Sequence, residues 1–268
     1  EVPPVYSIGH QWWQSMVGFN EAEEPWLDEG LTDYSALRVV DDLYGPYRSL
    51  IDGTNFHVGY LDLHRVSYVM FPRVKMYGRA WDFGPEYSIA AYSKPVLSWR
   101  TLERTIGDDA LLDILGTFFR RYQFGHPTSE DLRVVAEEKC QQNLDWFFDG
   151  LVYGDGVFNY TVTSVDAHSV TVSRQGSLAI PTAVEVTFAD GSVTTETWTG
   201  NQTPVTYSYA QDQARVLRAE VDPGRKIALD LRWSDNGRSR PPEIWAWLAV
   251  SARLLYAVQD TLIALEGL

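Results

Sequence analysis

Tyr6-Ser-Ile-Gly-His-Gln-Trp-Trp13 and Pro25-Trp-Leu-Asp-Glu-Gly30 are the two stretches whose reading decides the fold. They hold an imidazole, His10, and a carboxylate, Glu29, with eighteen residues between them. Residues 5 to 18 read as a helix, and Pro3 and Pro4 suit its entry because a first-turn proline forfeits no intrahelical hydrogen bond. A second helix is expected from Trp26 to Tyr44, where Leu27, Leu31, Tyr34, Leu37 and Val40 make one apolar stripe and Gly45-Pro46 stops it. Gly18 and Glu21-Ala-Glu-Glu24 form the loop between them; its acids read as solvated surface, with a calcium site the less favoured reading. Side chains four apart share a helix face, and the following helix packs across it. A zinc site built from two His of one helix and a Glu of the next uses that geometry.

The whole chain, at 268 residues, is long enough for two or three structural units with a sizeable core. Its 45% apolar content, with ten Trp, fifteen Tyr and eleven Phe, predicts ordinary globular packing. Thirty-six acidic against 22 basic residues give a formal charge of -14, which repels phosphate backbones, so nucleic acid is not an expected partner. Cys140 is the only cysteine, which excludes an internal disulfide and a Cys-based zinc cluster, and its helical neighbours assign it a buried packing role. No basic-then-apolar leader opens the chain and no long uncharged apolar run occurs, so a soluble chain with no transmembrane span is expected. Glu1-Val-Pro-Pro-Val5 leads abruptly into the motif, and an upstream N-terminal domain is expected to precede it in the parent protein.

Beyond Tyr44 the pattern loosens, with a helix from Tyr60 to Tyr77 interrupted by Pro72. Val96, Trp99, Leu102 and Ile106 then form a stripe ending near Gly107, and Ala110 to Tyr122 form another. Thr128 or Ser129 caps a further helix, with Glu130 and Asp131 in its first turn. After Tyr153 the period changes to two. Ser169–Ser173, Val184–Phe188 and Lys226–Trp233 read as strands, with Asp190-Gly191 a hairpin and Asp222-Pro-Gly224 a turn. About seven short strands describe a small antiparallel β-sandwich. Helical spacing returns over 243–268 through Trp245, Leu248, Leu255, Val258 and Leu262, a helix expected to dock on the rest of the protein. The organisation is thus multi-domain α+β: 1–153 helical, 154–238 a β-sandwich, and 239–268 a C-terminal helix.

The motif Gly9-His-Gln-Trp-Trp13, followed at this spacing by Trp26-Leu-Asp-Glu-Gly30, resembles the aminopeptidase N-like family of gluzincin metallopeptidases. That family carries His-Glu-x-x-His-Gln-Trp, eighteen residues, then the Glu of Trp-Leu-Asn-Glu-Gly. The resemblance implies a thermolysin-like catalytic domain, of which this chain holds the mainly helical C-terminal half. It also implies a zinc cofactor, with His10 in the place of the second zinc-binding His and Glu29 in that of the third ligand. Asp28 replaces the usual Asn. Tyr87-Ser-Ile-Ala-Ala-Tyr92-Ser-Lys94 lies where the family has its Tyr-x-Lys-Gly motif, so Tyr92 corresponds to the tyrosine that steadies the oxyanion. Pro95 and Ala91 depart from that motif. The front of the zinc motif departs most, since Tyr6 stands for the first zinc-binding His and Ser7 for the Glu that activates water. A neutral phenol is a poor zinc ligand at neutral pH, and serine alone is no general base.

Two readings of function stay open. In one, the chain is a fragment of a catalytically silent homologue, a pseudoenzyme whose cleft binds a peptide or protein, and His10 and Glu29 are vestigial or weak ligands with zinc absent or loosely held. In the other, it is a working zinc aminopeptidase whose missing groups come from another segment. A purely structural role is a third option. In the bland reading His10 pairs with Glu29, which a His or a backbone donor satisfies, while Trp12, Trp13 and Trp26 are core aromatics. His57, His64, His126 and His168 suggest no catalysis. Ser7 as a nucleophile lacks any oxyanion arrangement, and the glycosylation patterns at Asn159 and Asn201 are common by chance.

Overall fold

In the computed structural model, residues 2–46, 48–240 and Leu255 are described. The helix expected over 243–268 lies outside the described residues, Leu255 excepted. What is described is an α+β chain. Helix α1 (Val2–Trp13) begins earlier and ends sooner than expected, because Ser15 and Val17 donate backbone bonds back to His10 and Trp12, widening the last turns and turning the chain out. Helix α2 (Pro25–Tyr44) follows its apolar stripe, and at its end the Gly45 amide, at φ 87°, reaches back to Asp41. Strands β1 (Ile51–Asp52) and β2 (His57–Val58) form a small antiparallel pair. Helix α3 (Tyr60–Met70) stops before Pro72, as a proline restricts the residue ahead of it.

A wide π-helical turn over Ile89–Ser93 runs into α4 (Lys94–Ile106), followed by α5 (Asp108–Tyr122) and α6 (Ser129–Cys140). Thr128 caps α6 as expected. Its hydroxyl accepts from the Asp131 amide while the Asp131 carboxylate accepts from the Thr128 amide, the reciprocal capping box. The short helix α7 (Asp145–Phe147) and a π-helical turn over Phe148–Val152 complete the helical part. Its centre is aromatic: Trp26 stacks on Trp99 with ring centroids 6.1 Å apart, and Phe147 lies 5.2 Å from Trp99.

Two close approaches set the geometry of the site. A Cβ at Gly30 would fall 2.5 Å from Pro95 Cβ, so only glycine lets α2 come this near the start of α4. A Cβ at Gly9 would meet Thr32 Cγ2 at 3.0 Å, so α1 sits against the same turn of α2 from the other side.

The later residues form two antiparallel sheets. One is three-stranded, from β3 (Tyr160–Val165), β4 (Ser169–Arg174) and β7 (Val205–Ser208), in the order β3-β4-β7. The other has the order β6-β5-β8-β9, from β5 (Thr182–Phe188), β6 (Val193–Trp198), β8 (Val216–Val221) and β9 (Gly237–Ser239). Buried and part-buried residues alternate along β5, and the β5–β6 hairpin turns at Gly191 with φ 84°. The buried faces of both sheets join the helical core in one cluster.

Three expectations are corrected. Lys226–Trp233 is not a strand: Ile227, Ala228, Leu229 and Asp230 are all buried in succession, so this connector lies between sheets and helices rather than on a sheet face. Its polar groups are met from both sides, the Ala228 amide donating to Thr101 Oγ1 at 3.0 Å and Asp230 accepting from the Tyr160 amide at 3.1 Å. Trp12 is not core but 48% exposed, on the outer face of α1, whereas Trp13 and Trp26 are buried. Cys140 is only partly buried, because it ends α6. His57 bonds Asp52, His126 bonds the Gly18 carbonyl, and His168 lies in the β3–β4 turn.

Candidate functional site

Side chains from α1, α2 and the π-helical turn converge on Glu29. Tyr6 and His10 lie one turn apart on α1, with their rings edge to face at 4.8 Å. Tyr6 Oη donates to Glu29 Oε2, and Tyr92 Oη donates to Glu29 Oε1 at 2.5 Å. His10 Nε2 stands 3.6 Å from Glu29 Oε2, while its Nδ1 meets Asp28 Oδ1 at 3.0 Å and Thr32 Oγ1 at 3.4 Å. Four of the five residues singled out in the sequence are thus brought together. The fifth, Ser7, is exposed. Glu29 is satisfied chiefly by two phenols, not by the histidine or backbone donor expected, because the tyrosine at position 6 points its hydroxyl across the α1–α2 contact.

The electrostatics keep these phenols neutral. Burial, then the Glu29 carboxylate, pushes the Tyr6 pKa far above the ordinary tyrosine value. Tyr92 moves the same way for the same causes, with the Tyr6 hydroxyl acting in the opposite direction. Both are therefore fixed hydrogen-bond donors. Asp28 is fully buried, and burial followed by the charges of Glu29 and Glu21 pushes it up to about 8. His10 Nδ1 and Asp28 Oδ1 share one hydrogen bond, so the other ring nitrogen, Nε2, is the one that faces Glu29.

Sequence reasoning missed a neighbouring group. Asp33, one turn beyond Glu29 on α2, is 2% exposed and accepts from Tyr60 Oη at 2.6 Å. His64 Nε2 lies 3.5 Å from Asp33 Oδ2, too far for a good hydrogen bond, and burial pushes His64 down to about 4. The four-residue spacing of Glu29 and Asp33, which puts both on one helix face, is the signal that could have found it.

The site thus sets an imidazole and a carboxylate from consecutive helices opposite a tyrosine hydroxyl. The sequence profile of the Peptidase family M1 domain matches residues 5–151, and the chain belongs to that family. Aminopeptidase 2 of Candida albicans is 22% identical over 143 residues, which is 52% of this chain and 15% of the relative. Aminopeptidase M1-B of Oryza sativa subsp. japonica is 20% identical over 255 residues, 95% of this chain and 27% of the relative. The fold is similar to that of Legionella pneumophila aminopeptidase A, solved with aspartic acid, at a TM-score of 0.58 and 16% identity, covering 84% of this chain and 26% of that one. The chain spans about a quarter or less of the length of these proteins. Among the described residues no helix is long and apolar enough to cross a membrane.

Zinc is the metal of related members of the family. A hydrolytic zinc needs three protein ligands and one open position. Among the described residues, no group of three or more His, Cys, Asp or Glu is arranged to hold a metal. His10 Nε2 and Glu29 Oε2 face each other, but the Tyr6 hydroxyl occupies Oε2 and Tyr92 occupies Oε1. The residues present do not fit a three-ligand centre.

Proposed function

We propose that this chain is a non-hydrolytic member of peptidase family M1 whose cleft binds a peptide or protein ligand without cleaving it. The observation that carries the reading is the double capping of Glu29. With one phenol on each oxygen, the carboxylate is filled by neutral donors in the place where the family has a metal. Ser7, exposed and carrying no carboxylate, supplies no general base. On this reading Tyr92, which the resemblance casts as an oxyanion donor, serves instead to hold Glu29. On the same reading residues 1–153 are the helical catalytic-type unit and 154–238 a small β-sandwich.

One observation favours the rival, a working aminopeptidase completed by another segment. His10 Nδ1 rests on a carboxylate at 3.0 Å, as the outer-shell partner of a metal-bound imidazole does. Metal analysis after dialysis, together with hydrolysis of an aminoacyl amide, separates the two. The proposal expects no stoichiometric zinc and no chelator-sensitive turnover, with both gained in the Tyr6→His, Ser7→Glu double variant. Tightly held zinc and chelator-sensitive turnover in the unaltered chain would overturn it.

A further inference from the structure

Beside the Glu29 cluster lies a pocket of about 360 Å³. Its rim is aliphatic and open: Pro3 is exposed, Leu50 is 37% exposed and Leu63 50%. Its inner wall is Asp33 with the phenols of Tyr6, Tyr60 and Tyr92. Among the described residues that line it there is no Lys or Arg. Asp33 accepts one hydrogen bond, from Tyr60, and its nearest basic neighbour, His64, is held neutral by burial. The pocket is therefore a buried carboxylate among aromatic rings, without a countercharge, reached past an apolar collar.

We propose that this pocket takes an alkylammonium group of the kind a lysine side chain carries, with the methylene stem against Pro3, Leu50 and Leu63 and the ammonium at Asp33 among the phenols. Such a side chain is apolar along its length and charged only at its tip. Aromatic rings attract a desolvated cation through their faces, and an ammonium offers three donors to the free lone pairs of Asp33. Burial pushes Asp33 up to about 6 against the lowering effect of Tyr60, so an ionised Asp33 gains from a bound cation. The net charge of -14 draws cations toward the surface. The inference rests on the reading that the cleft binds a peptide or protein ligand, and it names the side chain bound.

The test is calorimetric titration of the full chain with N-acetyl-lysine amide, N-acetyl-norleucine amide and alanine amide at fixed ionic strength. The lysine amide is expected to bind at least tenfold more tightly than the neutral norleucine amide. Asp33→Asn should remove that preference. Because Asp33 is buried, a second variant at the exposed rim, Leu50→Lys, sets a like charge at the entrance and should weaken the lysine amide at least tenfold in a chain that still folds. Equal binding of the lysine and norleucine amides, or an unchanged affinity in Leu50→Lys, overturns the proposal. Tighter binding of alanine amide overturns it in favour of an amino terminus. Zinc content and turnover of the same sample keep the two readings apart. A zinc-loaded, hydrolytic chain that still prefers lysine loses the non-hydrolytic reading alone, and a silent chain without the preference loses only this one.

Discussion

At the C-terminal end of α2, Asp41 and Glu103 share one guanidinium. Arg100 reaches Asp41 at 2.5 Å and both oxygens of Glu103 at 2.9 and 3.0 Å, and Tyr34 adds a hydroxyl to Glu103 at 2.7 Å. At the N-terminal end of the same helix, Asp28, Glu29 and Asp33 are held by phenols and imidazoles, with no Arg or Lys in hydrogen-bond contact among their described partners. Each cluster leaves one buried carboxyl oxygen without a partner, Asp41 Oδ1 in the first and Asp28 Oδ2 in the second, but only the first has a guanidinium in contact with its carboxylates. A closed ion pair fixes the packing of α2 on α4. An acidic cluster satisfied by neutral donors keeps its field, and that field is available to a ligand.

The contrast can be broken at its strong end. Arg100→Met removes the guanidinium that Asp41 and Glu103 share and leaves both partly buried without it, and the loss in urea unfolding should be about 3–5 kcal/mol. At the other end, Tyr6→Phe and Tyr92→Phe each remove one donor from the Glu29 carboxylate, expected to cost about 1.5–3 kcal/mol apiece. Because the two share a single acceptor group, the double variant should depart from additivity; simple addition would show that Glu29 does not couple them.

Lys94 supplies an intermediate case, a buried cation without a carboxylate in contact. Its Nζ donates to the Val74 carbonyl at 2.6 Å, and burial pushes its pKa from 10.5 down to about 7, with Asp155 pulling the other way. Between about 7 and 10.5 the unfolded chain holds more protons than the folded one, so stability rises with pH there, by at most about 1.4 kcal/mol per pH unit. Below that window both states are protonated and the burial penalty stands in full. Lys94→Met should flatten the rise in a pH series of unfolding curves. The smallest effect is expected at Trp12, where Trp12→Ser on the exposed face of α1 should change stability by no more than about 0.5 kcal/mol.

Where local chemistry decides an element, the sequence was sufficient. The stripe from Leu27 to Val40, the capping box at Thr128 and the Asp190-Gly191 turn all appear where their residues place them. The meeting of His10, Glu29 and Tyr92 was legible for another reason: it follows from motif spacing in a known family. Failures came where burial depends on distant partners. The alternation in Lys226–Trp233 looked like a strand, yet both faces of that segment are covered, one by α4 and one by β3. Trp12 and Trp13 are adjacent and chemically identical, and only the position of α2 decides which is covered. At Asp28 the sequence showed only a replacement of the usual Asn; its burial, and with it the raised pKa, comes from tertiary packing.

The Lys226–Trp233 connector also bears on how the protein can be handled. Arg65 of α3 lies 3.4 Å over the Trp233 ring and donates to the carbonyls of Ala228 and Asp230, and Arg225 covers the same ring at 4.7 Å. A gene trimmed to encode the helices alone would strip α3 of these acceptors and bare the apolar surface that Ile227 and Leu229 now cover. Recombinant pieces meant to stay in solution should run at least through Ser239, because β9 pairs with β8 beyond the connector.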